Sequence, residues 1–237
     1  MNEEVAPTSP GTEFTAPDPC DLTTVGEVQS FMAPDGAGTD TATVSLLQLE
    51  VTGASRFIAS YCGREFWADP AVTEVRNGTD QAVMWLRKRP VWGLTSVSVY
   101  STPLIVVTDQ FSSGVTYDDR AIYGRGWFSG TITGWVGGNV RFIRGVKNIK
   151  IVYSGGYQTP GQVALAVTGI ANAPYLPADL QLACDTLVSY WYKRRRNLAN
   201  VSVGEGPEKI TFYTKDMPDQ VRLTLNLYKS AFYLGTD

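Results

Sequence analysis

One stretch limits the folds open to this chain more than any other: Asp40 to Arg64, DTATVSLLQLEVTGASRFIASYCGR. Its main apolar positions are Val44, Leu47, Val51, Ala54, Ile58 and Tyr61, in steps of 3, 4, 3, 4 and 3. That spacing holds one face apolar on an α-helix and scatters it across both faces of a strand. Leu46 and Phe57 widen the stripe, which predicts packing on more than one partner. Asp40 is placed to cap the first free N–H groups. Gly63 follows the last apolar turn, where a left-handed residue ends a helix at least cost. At about 1.5 Å per residue the helix is roughly 33 Å long. A helix of that length is a scaffold that other helices must cover.

Three more helical patterns flank a β-rich middle. DLTTVGEVQSFM (21–32) carries Thr24 and Glu27 as a capping box, with Leu22, Val25, Val28 and Phe31 at every third position. Pro177 opens a helix in which Leu180, Cys184, Leu187 and Trp191 step by 4, 3, 4. Asp179 suits its positive pole, and Lys193, Arg194, Arg195 and Arg196 suit its negative one. Pro218 opens the last helix, with Val221, Leu225, Tyr228 and Phe232 on one face. Between them, residues 70–157 are rich in Val, Thr, Tyr, Trp and Gly. Asn77-Gly78 is a hairpin signal. Strands are expected at 94–100, 104–108, 114–117, 121–123 and 148–153, with Gly124 to Gly138 breaking the intervening run into turns. Residues 158–176 have no assignment, and 197–217 read as an exposed loop or short hairpin.

The fold class expected is therefore α+β. A helical bundle forms from both ends of the chain, with an inserted antiparallel sandwich or barrel-like β domain. The divisions are a flexible arm at 1–20, bundle at 21–66, β domain at 67–157, connector at 158–176 and bundle with a docking segment at 177–237. The arm carries Pro7, Pro10, Pro17 and Pro19 among polar residues. It reads as disordered in the free protein, or as an arm that orders against a neighbouring subunit.

Composition removes function classes. There is no histidine, which takes away Ser–His–Asp and Cys–His nucleophiles, histidine-ligated metals and the usual proton shuttle near pH 7. Cys20, Cys62 and Cys184 are odd in number, widely spaced and lack a CxxC, against a disulfide framework or zinc site and in keeping with a reducing cytoplasm. The net charge of −3 argues against a nucleic-acid binder with a large basic face. No apolar run is long enough to span a membrane, and the acidic, polar start lacks the pattern of a signal peptide. No cofactor or metal is expected.

Several strings resemble the head–tail connector proteins of tailed bacteriophages, also called adaptor or head-completion proteins. They are DLTTVGEVQSFM, LLQLEVTGASRFIASYCGREF, RPVWGLTSVSVY, IVYSGGY and LPADLQLACDTLVSYWYKRR, in the family's order across residues 21–196. The resemblance implies a virion structural protein of the head–tail interface, made in the host cytoplasm and without enzymatic activity. It implies a homo-oligomeric ring of twelve copies that docks beneath the portal protein. Such a ring extends the channel through which genomic DNA passes without specific binding, and offers a surface to a stopper or tail-completion protein. The longer N-terminal arm and the insertion at 158–176 depart from the family's pattern. Arg194, Arg195 and Arg196, with Tyr228, Phe232 and Tyr233 near the C-terminus, are the candidate portal or partner contacts.

Plainer readings stand beside these. Lys193–Arg196 also reads as a solvated helix end, and the final helix as bundle closure. Trp85, Trp92, Trp127 and Trp135 with Tyr100, Tyr117 and Tyr123 read as β core and interface anchors, the alternative being sugar platforms of a carbohydrate-binding or adhesin module. Asp118-Asp119 reads as a turn, because neighbouring strand residues face opposite ways. A carboxylate enzyme has the least support, and another neck role, stopper or tail-completion, is the near alternative.

Overall fold

The computed structural model describes residues 16–33, 38–108, 112–125, 127–128, 138–139, 141–195, 202–203, 210–211 and 217–229. Among these it is a mixed structure of five helices and antiparallel sheets. The chain divides into two compact units: residues 1–63, 159–166 and 176–237, and residues 64–158 and 167–175.

The first unit is helical. α1 (Val25–Met32) starts at Thr24, whose hydroxyl accepts from the Glu27 N–H while the Glu27 carboxylate accepts from the Thr24 N–H. α2 (Thr41–Cys62) is capped by Asp40 and closed by Gly63 at φ 65°. α3 (Pro160–Ala164) is a single turn with its own capping box, Thr159 with Gln162. It lies in the stretch left unassigned from sequence. α4 (Ala178–Arg194) follows Pro177, which sits at the N-cap, one place before the first helical turn. α5 (Asp219–Tyr228) follows Pro218 in the same way. α4 packs against α1, α2 and α5. Leu47, Val51, Ala54 and Ile58 of α2, Leu180 and Leu187 of α4, and Leu225 of α5 are buried in this unit. No described helix is long and apolar enough to cross a membrane. A two-residue ladder, β10 (Ser202–Val203) with β11 (Ile210–Thr211), lies in the stretch read as loop or hairpin.

The second unit holds a four-stranded sheet ordered β1–β9–β3–β4 and a three-stranded sheet ordered β2–β6–β5. The strands are β1 (Asp69–Gly78), β2 (Val83–Trp85), β3 (Val91–Val99), β4 (Thr102–Leu104), β5 (Gly114–Tyr117), β6 (Ala121–Arg125) and β9 (Gly145–Gly155), with a short pair, β7 (Trp127–Phe128) and β8 (Gly138–Asn139). β9 is central, antiparallel to both β1 and β3. Its Ile149, Ile151 and Tyr153 enter the core with Val97 and Val99, while Lys150 faces outward opposite Val75 and Ser98. Residues 167–175 return to this unit, where Ile170 and Ala173 pack with Ala68 and Trp92.

Three sequence expectations are corrected. Asn77-Gly78 does not close a hairpin, since β1 pairs with β9 and β2 with β6. Its turn chemistry serves another contact: Asn77 Oδ1 accepts from Lys147 N–H, and a Cβ on Gly78 would lie 1.7 Å from the Ile143 carbonyl oxygen. The strand expected over 104–108 ends at Leu104, and Val106 makes only an isolated bridge to Val115. Gly124 is not a turn but a residue of β6, paired with Val115.

Candidate partner-binding surfaces

In the helical unit the basic end of α4 is tied down by its own aromatics. The Arg195 guanidinium lies 4.1 Å from the centre of the Tyr192 ring, and that of Arg194 6.0 Å from Tyr190. Both arginines are half-buried. Arg195 also faces Glu50 of α2, whose carboxyl is pushed up to about 7 by burial, with the Arg195 charge pulling the other way. Tyr228 is half-buried and donates to Asp179 Oδ1 at 2.7 Å, joining α5 to the start of α4. Tyr61 of α2 donates to Asn226 beside it. The outward face of α5 instead presents Leu223 and Leu227, 66% and 80% exposed. Sequence reading passed over this pair because aromatic side chains are the stronger signal of an interface anchor. The signal was present, since the two leucines fall between the core positions Val221, Leu225 and Tyr228. Arg196, Phe232 and Tyr233 lie outside the described residues.

The same unit buries polar groups deeply. Asp21 is fully buried, and its Oδ2 accepts from Gln48 Nε2 at 2.7 Å and from Asp18 N–H. Burial pushes the Asp21 carboxyl up. Thr23 Oγ1 lies 2.6 Å from Asp185 Oδ1 and 3.2 Å from Glu27 Oε2. One hydroxyl proton serves one of these two carboxylates at a time. Burial raises Asp185 to about 6, with the Thr23 hydroxyl pulling the other way. Cys184, beside Ser55 in the same interior, is held in the thiol form by burial. No group of three or more cysteine or carboxylate side chains placed to hold a metal occurs among the described residues.

The β unit has an apolar core, and of its cations Lys88 alone is buried among the described residues, paired with Glu65. At one end three segments are stitched together by the buried side chain of Asn148. Its Oδ1 accepts from Gly78 N–H at 2.8 Å and its Nδ2 donates to the Ile143 carbonyl at 2.8 Å. The Asn148 carbonyl accepts from Tyr100 N–H at 2.6 Å. Asp80, Tyr100 and Lys147 all adopt positive φ here, between 49° and 61°, although none is glycine. Such strain is held only where surrounding bonds fix it. Arg141, Arg144, Lys147 and Lys150 stand exposed at this end, one every third residue. Tyr100 and Val146 beside them are 55% and 82% exposed. Among the described residues none of the four cations forms an ion pair. Asp80 stands beside them, its backbone oxygen accepting from Arg141. This cluster was missed because net charge averages it away. The readable signal is that residues 120–178 contain six Lys/Arg and no Asp or Glu.

Asp118-Asp119 is a turn, as read. Asp118 Oδ1 accepts from the N–H groups of Arg120 and Ala121, and its Oδ2 from Tyr123.

Residues 146–231, from β9 through α5, match the family model described as head completion protein. That segment contains IVYSGGY and LPADLQLACDTLVSYWYKRR, two of the strings that carry the sequence resemblance. No curated protein matches the chain. Three solved structures are similar to it. A chain of the virion of the native gene transfer agent particle is 16% identical, the match covering 90% of this chain and 92% of that one, with a TM-score of 0.47. A chain from the neck of the empty particle, computed with C6 symmetry, is 12% identical over 90% and 92%, at 0.48. A chain from the neck of the native particle, computed with C12 symmetry, is 16% identical over 92% and 93%, at 0.45.

Proposed function

We propose that this protein is a structural protein of the neck of a tailed particle: a head–tail adaptor that rings the portal exit, extends the DNA channel and receives the next neck protein. The observation that carries the reading is the match of residues 146–231 to the head completion family. That segment takes in the central strand of one unit and the principal packing helix of the other. The protein acts by assembly rather than catalysis, in keeping with a chain that has no histidine. In this reading the helices form a bundle from both ends of the chain, residues 67–157 an inserted sandwich-like domain, 158–176 a connector and 1–20 an arm. Its partners are further copies of itself, the portal protein and a stopper or tail-completion protein, with DNA passing unheld.

The portal contact is assigned to the C-terminal region: the outward Leu223 and Leu227 of α5, the Arg194–Arg196 end of α4, Tyr228, and Phe232 and Tyr233 beyond it. An exposed apolar pair suits the centre of a protein interface. The family description is head completion, which fits a stopper as well, so that role is the second reading.

The test is made in the particle that encodes the protein. Deleting the gene is expected to leave DNA-filled heads without tails, and adding purified protein to those heads to restore joining. Tailed, infectious particles from the deletion would overturn the proposal.

A further inference from the structure

Charge is segregated along this chain. Residues 1–55 contain nine Asp/Glu and no Lys or Arg, while residues 120–178 contain six Lys/Arg and no Asp or Glu. The acidic excess includes Glu3, Glu4 and Glu13 within residues 1–15, which lie outside the described residues. Four of these six, Arg141, Arg144, Lys147 and Lys150, stand exposed at the Asn148-stitched end of the β unit. Building on the ring reading above, we propose that this end is the docking site for residues 1–15 of a second copy of the chain.

Five observations carry the assignment. The patch is preformed: Asn148 and the three left-handed residues Asp80, Tyr100 and Lys147 fix its backbone, so little is lost in ordering it. Its cations are exposed and form no ion pair among the described residues. It is also apolar, with Val146, Tyr100 and Val75 more than half exposed between the charges. The arm has the matching composition, Glu4 beside Val5 and Glu13 beside Phe14, where a phosphate backbone offers charge but no apolar partner. Reach is sufficient: fifteen extended residues span roughly 50 Å, more than the width of a small domain. A contact between two different patches of one chain is the heterologous kind that closes rings.

The experiment is a charge swap in the full-length protein. One variant reverses the patch (Arg144→Glu, Lys147→Glu, Lys150→Glu) and another reverses the arm (Glu3→Lys, Glu4→Lys, Glu13→Lys). Self-association is followed by sedimentation velocity at low and high salt, with circular dichroism to check that each variant is folded. Each variant alone is expected to associate about tenfold more weakly than the wild type, the sum of a few exposed pairs. An equimolar mixture is expected to regain wild-type association, because each arm then meets a complementary patch. High salt should narrow every difference. Wild-type association unaffected by either variant contradicts the docking site and leaves the ring reading intact. No association by the wild type at any concentration or with portal present contradicts the ring reading itself. Loss without rescue in the mixture overturns docking between copies. Patch-dependent retention of a 30-base-pair duplex with association unchanged reassigns the site to phosphate.

Discussion

The two units of this molecule handle charge in opposite ways. The helical unit has 9 Lys/Arg against 16 Asp/Glu, a balance of −7, and takes several polar side chains inside: Asp21, Thr23, Gln48, Ser55 and Asp185 are all buried. The β unit has 11 Lys/Arg against 7 Asp/Glu, a balance of +4, and keeps its core aliphatic and aromatic around β9. The chain's −3 is the sum of the two and describes neither. Helices tolerate buried hydroxyl and carboxyl groups where neighbouring turns supply donors, and each buried carboxyl makes the packing depend on protonation. A sheet whose central strand is covered on its core face gains rigidity from apolar burial and leaves its ends free to present charge. One unit is thereby sensitive to pH, and the other draws its rigidity from apolar burial.

The comparison breaks most readily at the centre of the sheet. Ile151→Ala removes a fully buried side chain between β1 and β3 and is expected to cost about 3–4 kcal/mol in chemical denaturation. A loss below about 1 kcal/mol would mean that the core of the β unit is not where its stability lies. Tyr153→Phe should cost about 2 kcal/mol. It leaves the Lys88 N–H and the Glu74 carboxylate without the hydroxyl that accepts from one and donates to the other.

In the helical unit the expected effect depends on pH. The Asp185 carboxyl is raised from its ordinary 3.8 to about 6, so the folded chain holds that proton when the unfolded chain has released it. Its contribution to stability is full below about pH 4 and is lost as pH rises through 6, at up to about 1.4 kcal/mol per unit. Glu50, raised to about 7, acts in the same direction over a higher range. Asp185→Asn should flatten the fall in Tm between pH 4 and 6 and raise Tm at pH 7.5. An unchanged pH profile would remove Asp185 as the cause. Thr24→Ala, which breaks the capping box of α1, should cost about 1 kcal/mol by thermal denaturation. Smallest of all, Lys150→Ala should change stability by less than about 0.5 kcal/mol while weakening self-association, since the side chain is exposed and acts outward.

The helices were legible because their causes are local. Asp40, Thr24 and Gly63 cap where their chemistry says, and Leu47, Val51, Ala54 and Ile58 of the α2 stripe are buried as its spacing demands, with Val44 and Tyr61 at its ends half-buried. The alternation of Val97 and Val99 against Ser96 and Ser98 gave the inward face of β3. What sequence left obscure is long-range. Nothing near Asn77 announces that β1 pairs with residues 145–155, and a hairpin signal is indistinguishable from a glycine required by close approach to Ile143. The return of residues 167–175 to the β unit rests on Ile170 and Ala173 finding Ala68, a contact about a hundred residues apart. Of the candidate contacts, Arg194 and Arg195 proved stacked on tyrosines and Tyr228 bonded to Asp179. Leu223 and Leu227 face outward instead. The basic end of the β unit was legible in the absence of acids from 120 to 178, a pattern lost once only the total charge is considered.

The most direct test of the adaptor reading mixes the purified protein with the portal ring of the same particle, images the mixture by negative-stain electron microscopy and measures its native mass. The account predicts a ring of this protein capping one end of the portal, with a mass that gives its copy number. Protein that ignores the portal and binds only a preassembled adaptor ring would contradict it and make this chain a stopper.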